Sequence, residues 1–298
     1  MTRRLLRFSL LGFASAVACL LYGWLVEPTQ LRVREVALAA DTDTLRIGFV
    51  SDIHAGGRGV DAERVRRIVE TLHAGEPDII LMAGDLMNGH EPSGERTDDK
   101  LQALGNTLLP LLELSAPLGV YSVYGNHDSW FGEAEQLYDA VGIPVLDNAS
   151  VVAGGRLCVF GLADEWTGKP DADVALSCPA NLPSIGVMHN PDTAFRLPTG
   201  PDLLLAGHTH GGQVNLPILG RVITAIEAPR RHAYGWSRVN GTPMFTTAGV
   251  GMSVLPVRFR APPEVVFITL GRDGGLLPRS RGRSSRCRRC QRGPIQEG

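Results

Sequence analysis

The chain has 298 residues, of which 44% are hydrophobic and 20% are charged, and its formal net charge is −2. That length and apolar content allow a large buried core. The near-zero net charge provides no overall positive field that would attract nucleic acid, so neither nucleic-acid binding nor nuclease activity is expected.

The five cysteines are an odd number at scattered spacings, which does not indicate a disulfide framework. Cys158 lies in an apolar run, and we expect it to be a small side chain of the core. Cys287 and Cys290 form a lone CxxC without a second pair, so zinc binding there is not expected.

The chain begins with a basic segment followed by an uncharged one. Arg3, Arg4 and Arg7 precede residues 8–26, a run of 19 residues without a charge. A helix of that length can span the hydrocarbon core of a bilayer, and the arginines keep its N-terminal side in the cytoplasm. We therefore expect residues 1–28 to be a transmembrane segment or signal helix, uncleaved rather than removed on export. This predicts a single-pass protein of the cell membrane with its folded domain outside the cytoplasm.

The first half of the chain alternates predicted strands with predicted helices. Three apolar runs have the length of buried strands: LRIGFV (45–50), DIILMAG (78–84) and VYSVYG (120–125). Between the first two, apolar residues from Val65 to Leu72 recur at the spacing of one helix face, with Asp61 at the N-cap position. Further helical stretches cover about 99–114 and 132–141.

From residue 143 the pattern changes to short β-like runs punctuated by Gly and Pro. We predict one α/β domain at 40–272, with no linker that divides it. The segment at 273–298 is rich in arginine and lacks apolar periodicity, so we expect a disordered tail, with contact to anionic lipid or polyphosphate as the alternative.

Side chains that can bind metals directly follow five of the predicted strands. They are Asp52 and His54, Asp85, Asn126 with His127 and Asp128, His189, and His208 with His210. Each alone has an ordinary explanation, such as turn formation or helix capping, but ligand sites in α/β sheets lie at the carboxyl ends of strands. Imidazole, carboxylate and amide ligands without a thiolate suit Mn, Fe or Zn. The pattern therefore predicts one site for two divalent metal ions.

The same residues resemble the calcineurin-like metallophosphoesterases. The matching motifs, in the family's order, are Asp52-x-His54, Gly84-Asp85, Gly125-Asn126-His127-Asp128, His189 and Gly207-His208-Thr209-His210. The similarity extends from about 45 to 270. The runs GHTHGGQVNLP (207–217) and AGVGMSVLPVRF (248–259) resemble the membrane-anchored or exported bacterial branch of that family.

The resemblance implies a two-sheet α/β/β/α sandwich, helices on both outer faces, and a role for each site residue. One ion would be held by Asp52, His54 and His210, the other by Asn126, His189 and His208, with Asp85 bridging both. His127 would lie beside the scissile phosphate as a general acid or as a stabiliser of transition-state charge. Asp128 would orient the imidazole of His127.

The expected activity is hydrolysis of a phosphoric ester, most simply a phosphodiester at or near the membrane, lipid-linked or soluble. The alternatives are a pyrophosphatase of a nucleotide-linked glycolipid and, in a different class, a catalytically silent metal-binding scaffold. Trp130 and Phe131 are candidates for an apolar lip of the site or for simple packing of the next helix. The run 164–166, Asp-Glu-Trp, is a second candidate wall.

Overall fold

A computed structural model describes residues 2–88, 97–130, 133–198 and 200–272, without the side chains of residues 1–9 and 11. Several residues discussed above lie outside the described ones: Phe131, Cys287, Cys290 and the rest of the tail at 273–298.

Within the described residues, the strands form two main sheets and one small hairpin. The strands are β1 (Arg32–Ala39), β2 (Leu45–Val50), β3 (Ile79–Met82), β4 (Val120–Ser122), β5 (Ala149–Ala153), β6 (Leu157–Gly161), β7 (Ser184–Met188), β8 (Leu203–Ala206), β9 (Asn215–Leu216), β10 (Gly220–Arg221), β11 (Gly235–Val239), β12 (Thr242–Thr246) and β13 (Glu264–Gly271). The first sheet has the order β1-β13-β2-β3-β4, the second has the order β11-β12-β8-β7-β6-β5, and β9 pairs with β10. Strands β2, β3 and β4 are parallel neighbours, as are β6, β7, β8 and β12, so their carboxyl ends lie at shared edges.

The helices follow the predicted pattern with one change. They are α1 (Thr2–Leu21), α2 (Ala62–Ala74), α3 (Asp98–Leu108), α4 (Asn126–Ser129) and α5 (Ala134–Ala140). Asp61 caps α2 as predicted, because its carboxylate accepts a hydrogen bond from Arg64 N at 2.9 Å. The stretch predicted at 99–114 is α-helical only to Leu108. It continues as a 3-10 helix at Leu109–Glu113, where Pro110 cannot donate an α-helical hydrogen bond.

The two main sheets pack face to face around one apolar core, which includes Phe49 of the first sheet and Leu205 of the second. Helices α2 and α3 cover the outer face of the first sheet. Short 3-10 segments at Ala172–Ser177 and Pro191–Arg196 pack on the outer face of the second. The two-sheet α/β fold is therefore confirmed. The predicted fourth layer consists of 3-10 segments rather than α-helices in the described residues, because prolines interrupt the connections between β6, β7 and β8.

The first sheet begins earlier than predicted. β1 pairs in parallel with β13 along its full length, from Arg32 opposite Glu264 to Ala39 opposite Gly271. β1 thus lies before residue 40, where the domain was predicted to begin. β1 is an edge strand, and Arg32, Arg34 and Glu35 interrupt its apolar residues, so its first half does not read as a buried strand.

The segment after α1 is docked on the domain. A π-helical turn at Tyr22–Val26 leads into a 3-10 turn at Glu27–Thr29. Gly23 O accepts a hydrogen bond from Arg258 N at 2.9 Å, and the buried Glu27 carboxylate accepts one from Ala261 N at 2.6 Å. In the part of the chain that the structure describes, no helix has both the length and the apolar character needed to cross a membrane.

Cys158 and Cys178 form a disulfide, with Cα atoms 5.6 Å apart. Cys158 is fully buried, as expected, but it is paired, which the odd count and scattered spacing of the cysteines did not indicate. Cys158 lies in β6, and Cys178 directly follows the 3-10 segment that packs on the outer face of the same sheet. This tertiary packing brings the two sulfurs together, and the spacing along the chain does not reveal it.

Candidate metal centre

The polar residues that follow the parallel strands meet at one end of the two packed sheets. From the first sheet, Asp52 and His54 follow β2, Asp85 follows β3 and Asn126 follows β4; from the second, His189 follows β7, and His208 and His210 follow β8. None of these seven side chains is more than 6% exposed. The structure therefore brings together all seven residues that the sequence predicted as ligands.

Asp52, His54, Asp85 and His210 form one compact group. One potential ligand atom from each of the four lies within 4.8 Å of those of the others. His54 Nε2 is 3.2 Å from His210 Nε2 and 3.4 Å from Asp85 Oδ2. His210 Nε2 is 3.6 Å from Asp52 Oδ1. Two imidazole nitrogens and two carboxylate oxygens around one point are a donor set that fits a divalent cation.

His189, His208 and Asn126 form a second group next to the first. His189 Nε2 is 3.0 Å from Asn126 Oδ1 and 3.1 Å from His208 Nδ1. The same nitrogen is 3.3 Å from Asp85 Oδ2. Asp85 Oδ2 thus lies within 3.4 Å of an imidazole from each group. That is the position that a carboxylate shared by two ions must have.

The backbone of the site is strained at five ligand residues. Positive φ angles occur at Asp52 (51°), His54 (50°), Asp85 (52°), His208 (66°) and His210 (50°). Residues with a side chain rarely adopt this conformation, and it persists where surrounding structure enforces it, often at functional sites. Gly125 is part of that enforcement, because a Cβ atom there would collide with the carboxylate of Asp85.

Main-chain carbonyls set the tautomers of two histidines. His189 Nδ1 lies 2.7 Å from Ala83 O, and His208 Nε2 lies 3.0 Å from Ala225 O. A carbonyl oxygen can only accept, so each of these nitrogens carries the proton. The other nitrogen of each ring, His189 Nε2 and His208 Nδ1, faces the shared site and would bind an ion through its lone pair once any proton on it is displaced.

Burial and neighbouring charges set the protonation of the site. Burial acts to raise the pKa of Asp85, but the imidazoles of His189 and His54 hold it well below its usual range. Burial acts to lower the pKa of His189, but the charge of Asp85 raises it to about 10. Burial lowers the pKa of His208 to about 3 and raises that of Asp52 to about 7. The ionised carboxylate of Asp85 thus lies among imidazoles and favours positive charge beside it. A protonated imidazole or a bound cation can supply that charge.

His127 borders the ligand cluster. Its ring centroid lies 4.7 Å from that of His54 and 4.8 Å from that of Trp130. Its Nε2 is 3.2 Å from Ser253 Oγ, and its main-chain N donates to Asp85 Oδ1 at 2.8 Å. The backbone bond fixes His127 relative to the shared carboxylate. Sequence reasoning did not single out Ser253, although it lies in a run, 248–259, that carried the resemblance.

Asp128 connects two of the loops that carry ligands. Its Oδ1 accepts from Met87 N at 3.1 Å, and its Oδ2 accepts from Gly125 N and from Tyr138 Oη, each at 3.0 Å. Burial and the nearby charge of Asp85 raise the pKa of Asp128 to about 7. These bonds tie the loop after β3 to the loop after β4. The role implied by the resemblance, orienting the imidazole of His127, stays a prediction.

Arg258 is a second residue that the sequence analysis did not single out. It is fully buried, and its guanidinium donates to Gly251 O at 2.9 Å and to Ala248 O and Ala261 O, each at 2.8 Å. The same guanidinium lies 3.4 Å from His210 Nδ1. Burial lowers its pKa to about 10, and the group still stays charged at neutral pH. Arg258 therefore holds the segment 248–261 against the ligand cluster.

Two tryptophans border the site, each beside a different histidine. The Trp166 ring lies edge-on to His208 at a centroid distance of 4.4 Å, as Trp130 does to His127. Both indoles are about half exposed. Asp164 supports the first of them, because its carboxylate accepts from Trp166 N at 2.9 Å. Both candidate walls predicted from the sequence thus contact histidines of the site.

Two ligand groups that share one carboxylate, at the carboxyl ends of strands in a two-sheet α/β fold, define the class of two-metal hydrolases. Residues 45–212 match the calcineurin-like phosphoesterase family, and the chain belongs to that family. It is accordingly a metal-dependent phosphoesterase, and the family uses two divalent metal ions.

Relatives named for the same activity span most of the chain. It is 32% identical to YkuE, an uncharacterized metallophosphoesterase of Bacillus subtilis (strain 168), over 83% of this chain and 86% of that protein. It is 31% identical to the phosphodiesterase YaeI of Escherichia coli (strain K12), over 76% of this chain and 82% of that protein. It is also 31% identical to a transmembrane protein with metallophosphoesterase domain of Danio rerio, over 76% of this chain and 53% of that protein.

Proposed function

We propose that the protein is a phosphodiesterase in which seven residues hold two divalent ions. The first ion is assigned to Asp52, His54 and His210, the second to Asn126, His189 and His208, and Asp85 is assigned to both. The observation that carries the assignment is the position of Asp85 Oδ2 within 3.4 Å of His54 and of His189. The likeness to YaeI, which is named a phosphodiesterase, supports a diester substrate.

The bound ions would supply charge neutralisation of the phosphoryl oxygens and a water activated for attack on phosphorus. The chain's own residues do the remaining work. Asp85 keeps the two ligand groups at a fixed separation, and its second oxygen fixes the backbone of His127. His127 donates a proton to the leaving oxygen or stabilises the negative charge that develops on it. Ser253 holds the ring of His127 through its Nε2.

The proposal extends to the border of the site. Trp130 and Trp166 give the opening two half-exposed aromatic walls. Two such walls suit a phosphate that carries two apolar or aromatic groups, since each indole can stack on one group, whereas a monoester carries only one. This favours a diester that carries a substituent on each side of phosphorus.

The proposed location is the cell membrane, with residues 8–26 as the anchor and the catalytic domain outside the cytoplasm. The uncharged run preceded by three arginines supports this, as does the likeness to a relative named a transmembrane protein. The disulfide between Cys158 and Cys178 is a further support, because such bonds persist mainly in oxidising compartments.

The test is hydrolysis of bis-p-nitrophenyl phosphate and of p-nitrophenyl phosphate by the full chain with added Mn²⁺, together with the count of bound ions. The proposal predicts turnover of the diester, its loss on treatment with a chelator, and two ions per chain. Two bound ions without turnover of either ester would instead favour the silent scaffold. Turnover that survives removal of every ion would contradict the metal assignment.

A further inference from the structure

Exposed apolar side chains are concentrated in two loops beside the site. One contains the loop between β9 and β10 and the residues after β10, and the other follows Ser253. The residues are Ile218, which is fully exposed, Leu219 (67%), Ile223 (72%), Val254 (83%) and Leu255. We refer to these five residues as the apolar rim. Single exposed apolar residues are ordinary, but a contiguous group of them marks an interaction surface.

Hydrogen bonds join the two loops of the apolar rim into one surface. Gln213 Nε2 donates to Ser253 O at 3.1 Å and to Leu255 O at 2.8 Å. Asn215 N donates to Phe259 O at 2.8 Å. Ile218 and Val254 have positive φ angles of 71° and 60°, which β-branched residues rarely adopt. The loops are thus held with their apolar side chains in solvent, rather than left to fold back on the domain.

The apolar rim continues into the end of the N-terminal helical segment. Arg258 N, four residues beyond Val254, donates to Gly23 O at 2.9 Å. Beside Gly23, the ring of Trp24 lies under the guanidinium of Arg58 at 4.5 Å, and Trp24, Leu25 and Val26 are exposed. The segment from Val254 to Arg258 therefore connects the apolar rim with the exposed apolar residues that follow Gly23.

The apolar rim also borders the candidate catalytic histidine. Ser253 Oγ is 3.2 Å from His127 Nε2, and Val254 is the next residue. Gln213, which holds the second loop, follows the 3-10 turn that begins at His210, and its main-chain N donates to His210 O at 2.9 Å. The two loops of the apolar rim are thus hydrogen-bonded to residues at the opening of the metal site.

We propose that the apolar rim lies on the lipid bilayer that holds the N-terminal segment, so that the site takes phosphodiesters presented at the membrane surface, that is, amphiphilic, lipid-linked substrates. This inference rests on the proposed phosphodiesterase function and membrane anchor. Apolar side chains on loop tips enter the interface between headgroups and acyl chains. Arg58, which lies over the ring of Trp24, and Arg260, whose carbonyl accepts a hydrogen bond from Asn215 Nδ2, are both exposed and match anionic headgroups.

The first test is independent of activity. The full chain is reconstituted in vesicles of phosphatidylcholine and phosphatidylglycerol that contain a phosphatidylcholine with a photoreactive acyl chain, and the labelled tryptic peptides are identified. The proposal predicts labelling of the peptides 197–221, 222–230 and 239–258, which contain the rim, as well as of the N-terminal segment. Labelling confined to the N-terminal segment would overturn the proposal and would favour a protein partner for the apolar rim instead.

The second test compares two substrates. We expect Ile218→Glu/Leu219→Glu to lower hydrolysis of a dioleoylglyceryl p-nitrophenyl phosphate in vesicles by at least about tenfold, because two apolar side chains no longer enter the bilayer. Turnover of soluble bis-p-nitrophenyl phosphate should stay within about twofold of wild type. Leu176→Glu is the matched control, since Leu176 is 72% exposed on the 3-10 segment before Cys178, beside the starts of β6 and β7. It should change neither rate.

An equal loss on both substrates in the rim variant, or no loss on either, would contradict the proposal that the apolar rim lies on the bilayer. A wild-type protein that hydrolyses neither substrate would instead refute the phosphodiesterase function, and the labelling experiment would still decide the place of the apolar rim.

Discussion

The two ends of the packed sheets are built in opposite ways. At the carboxyl ends of the parallel strands, five ligand residues have positive φ angles and buried carboxylates lie among imidazoles. At the amino end of β2, Arg46 makes ordinary bonds: its main-chain N donates to Asp78 Oδ2 at 2.7 Å, and its guanidinium pairs with Glu35 at 2.8 Å. Strained ligand residues and carboxylates buried among imidazoles thus mark the end that does chemistry, whereas the bonds of Arg46 at the other end stabilise the fold.

Among variants that distinguish the two ends of the packed sheets, Asp85→Asn should have the largest effect. We expect diester turnover to fall at least about a thousandfold, because the two ligand groups lose the carboxylate they share and with it the stabilisation of transition-state charge. Turnover and bound ions per chain would be measured together. Asp78→Asn, at the opposite end, is the control and should leave turnover within about twofold. Full turnover with two ions bound in Asp85→Asn would show that the shared carboxylate is wrongly assigned.

His127→Ala should have the next largest effect, a loss of turnover of about a hundredfold to ten-thousandfold, as for removal of a general acid. Two ions should still bind, because His127 is not among the assigned ligands. The diagnostic measurement is the dependence on the leaving group. The loss should be greater for a diester with an alkoxide leaving group than for bis-p-nitrophenyl phosphate, whose nitrophenolate leaves without a proton. An equal loss on both esters would rule out proton donation.

Changes at the amino ends of the strands should lower the stability of the fold and leave turnover unchanged. Cys158→Ala/Cys178→Ala should lower the free energy of unfolding by about 3 kcal/mol, through the greater freedom of the unfolded chain. For a domain of this size, that corresponds to a fall in Tm of roughly 6–12 °C. Calorimetry would measure the shift, and reduced wild-type protein should match the variant. Turnover per folded molecule should be unchanged, and a selective loss of turnover would mean that the two ends are not independent.

The smallest expected effect concerns the walls of the site. Trp166→Ala should raise KM for an aromatic diester by about three- to tenfold, equivalent to roughly 1 kcal/mol of aromatic contact, with little change in kcat. Trp236→Ala removes an exposed indole of β11 that packs on Phe245, and serves as the control. If KM is unchanged in Trp166→Ala while His208 still binds its ion, the indole is only a packing residue.

The sequence was most informative where structure and chemistry are both local. A buried strand followed at once by Asp85 or His189 can be recognised within a few residues, and the parallel order of the strands brings such residues together. The same local logic identified Asp61 as the cap of α2.

The features that escaped prediction depend on partners far along the chain. β1 is a strand only because β13 pairs with it. The bond between Cys158 and Cys178 depends on how a 3-10 segment packs on the second sheet. Ser253 reaches His127 only because the loop that carries it folds back over the site. No pattern within a short window specifies such contacts.

The docking of Gly23 and Glu27 has a consequence for how substrate is found. Within the described residues, this segment is bonded to the domain at Arg258 and Ala261 instead of joining it through a loose linker. A loosely linked enzyme samples a volume whose size is set by the linker. A docked one that is anchored as proposed keeps its opening at a constant height above the bilayer. Its search for a lipid-borne ester then takes place in the plane of the membrane, and its encounter rate scales with the surface density of substrate.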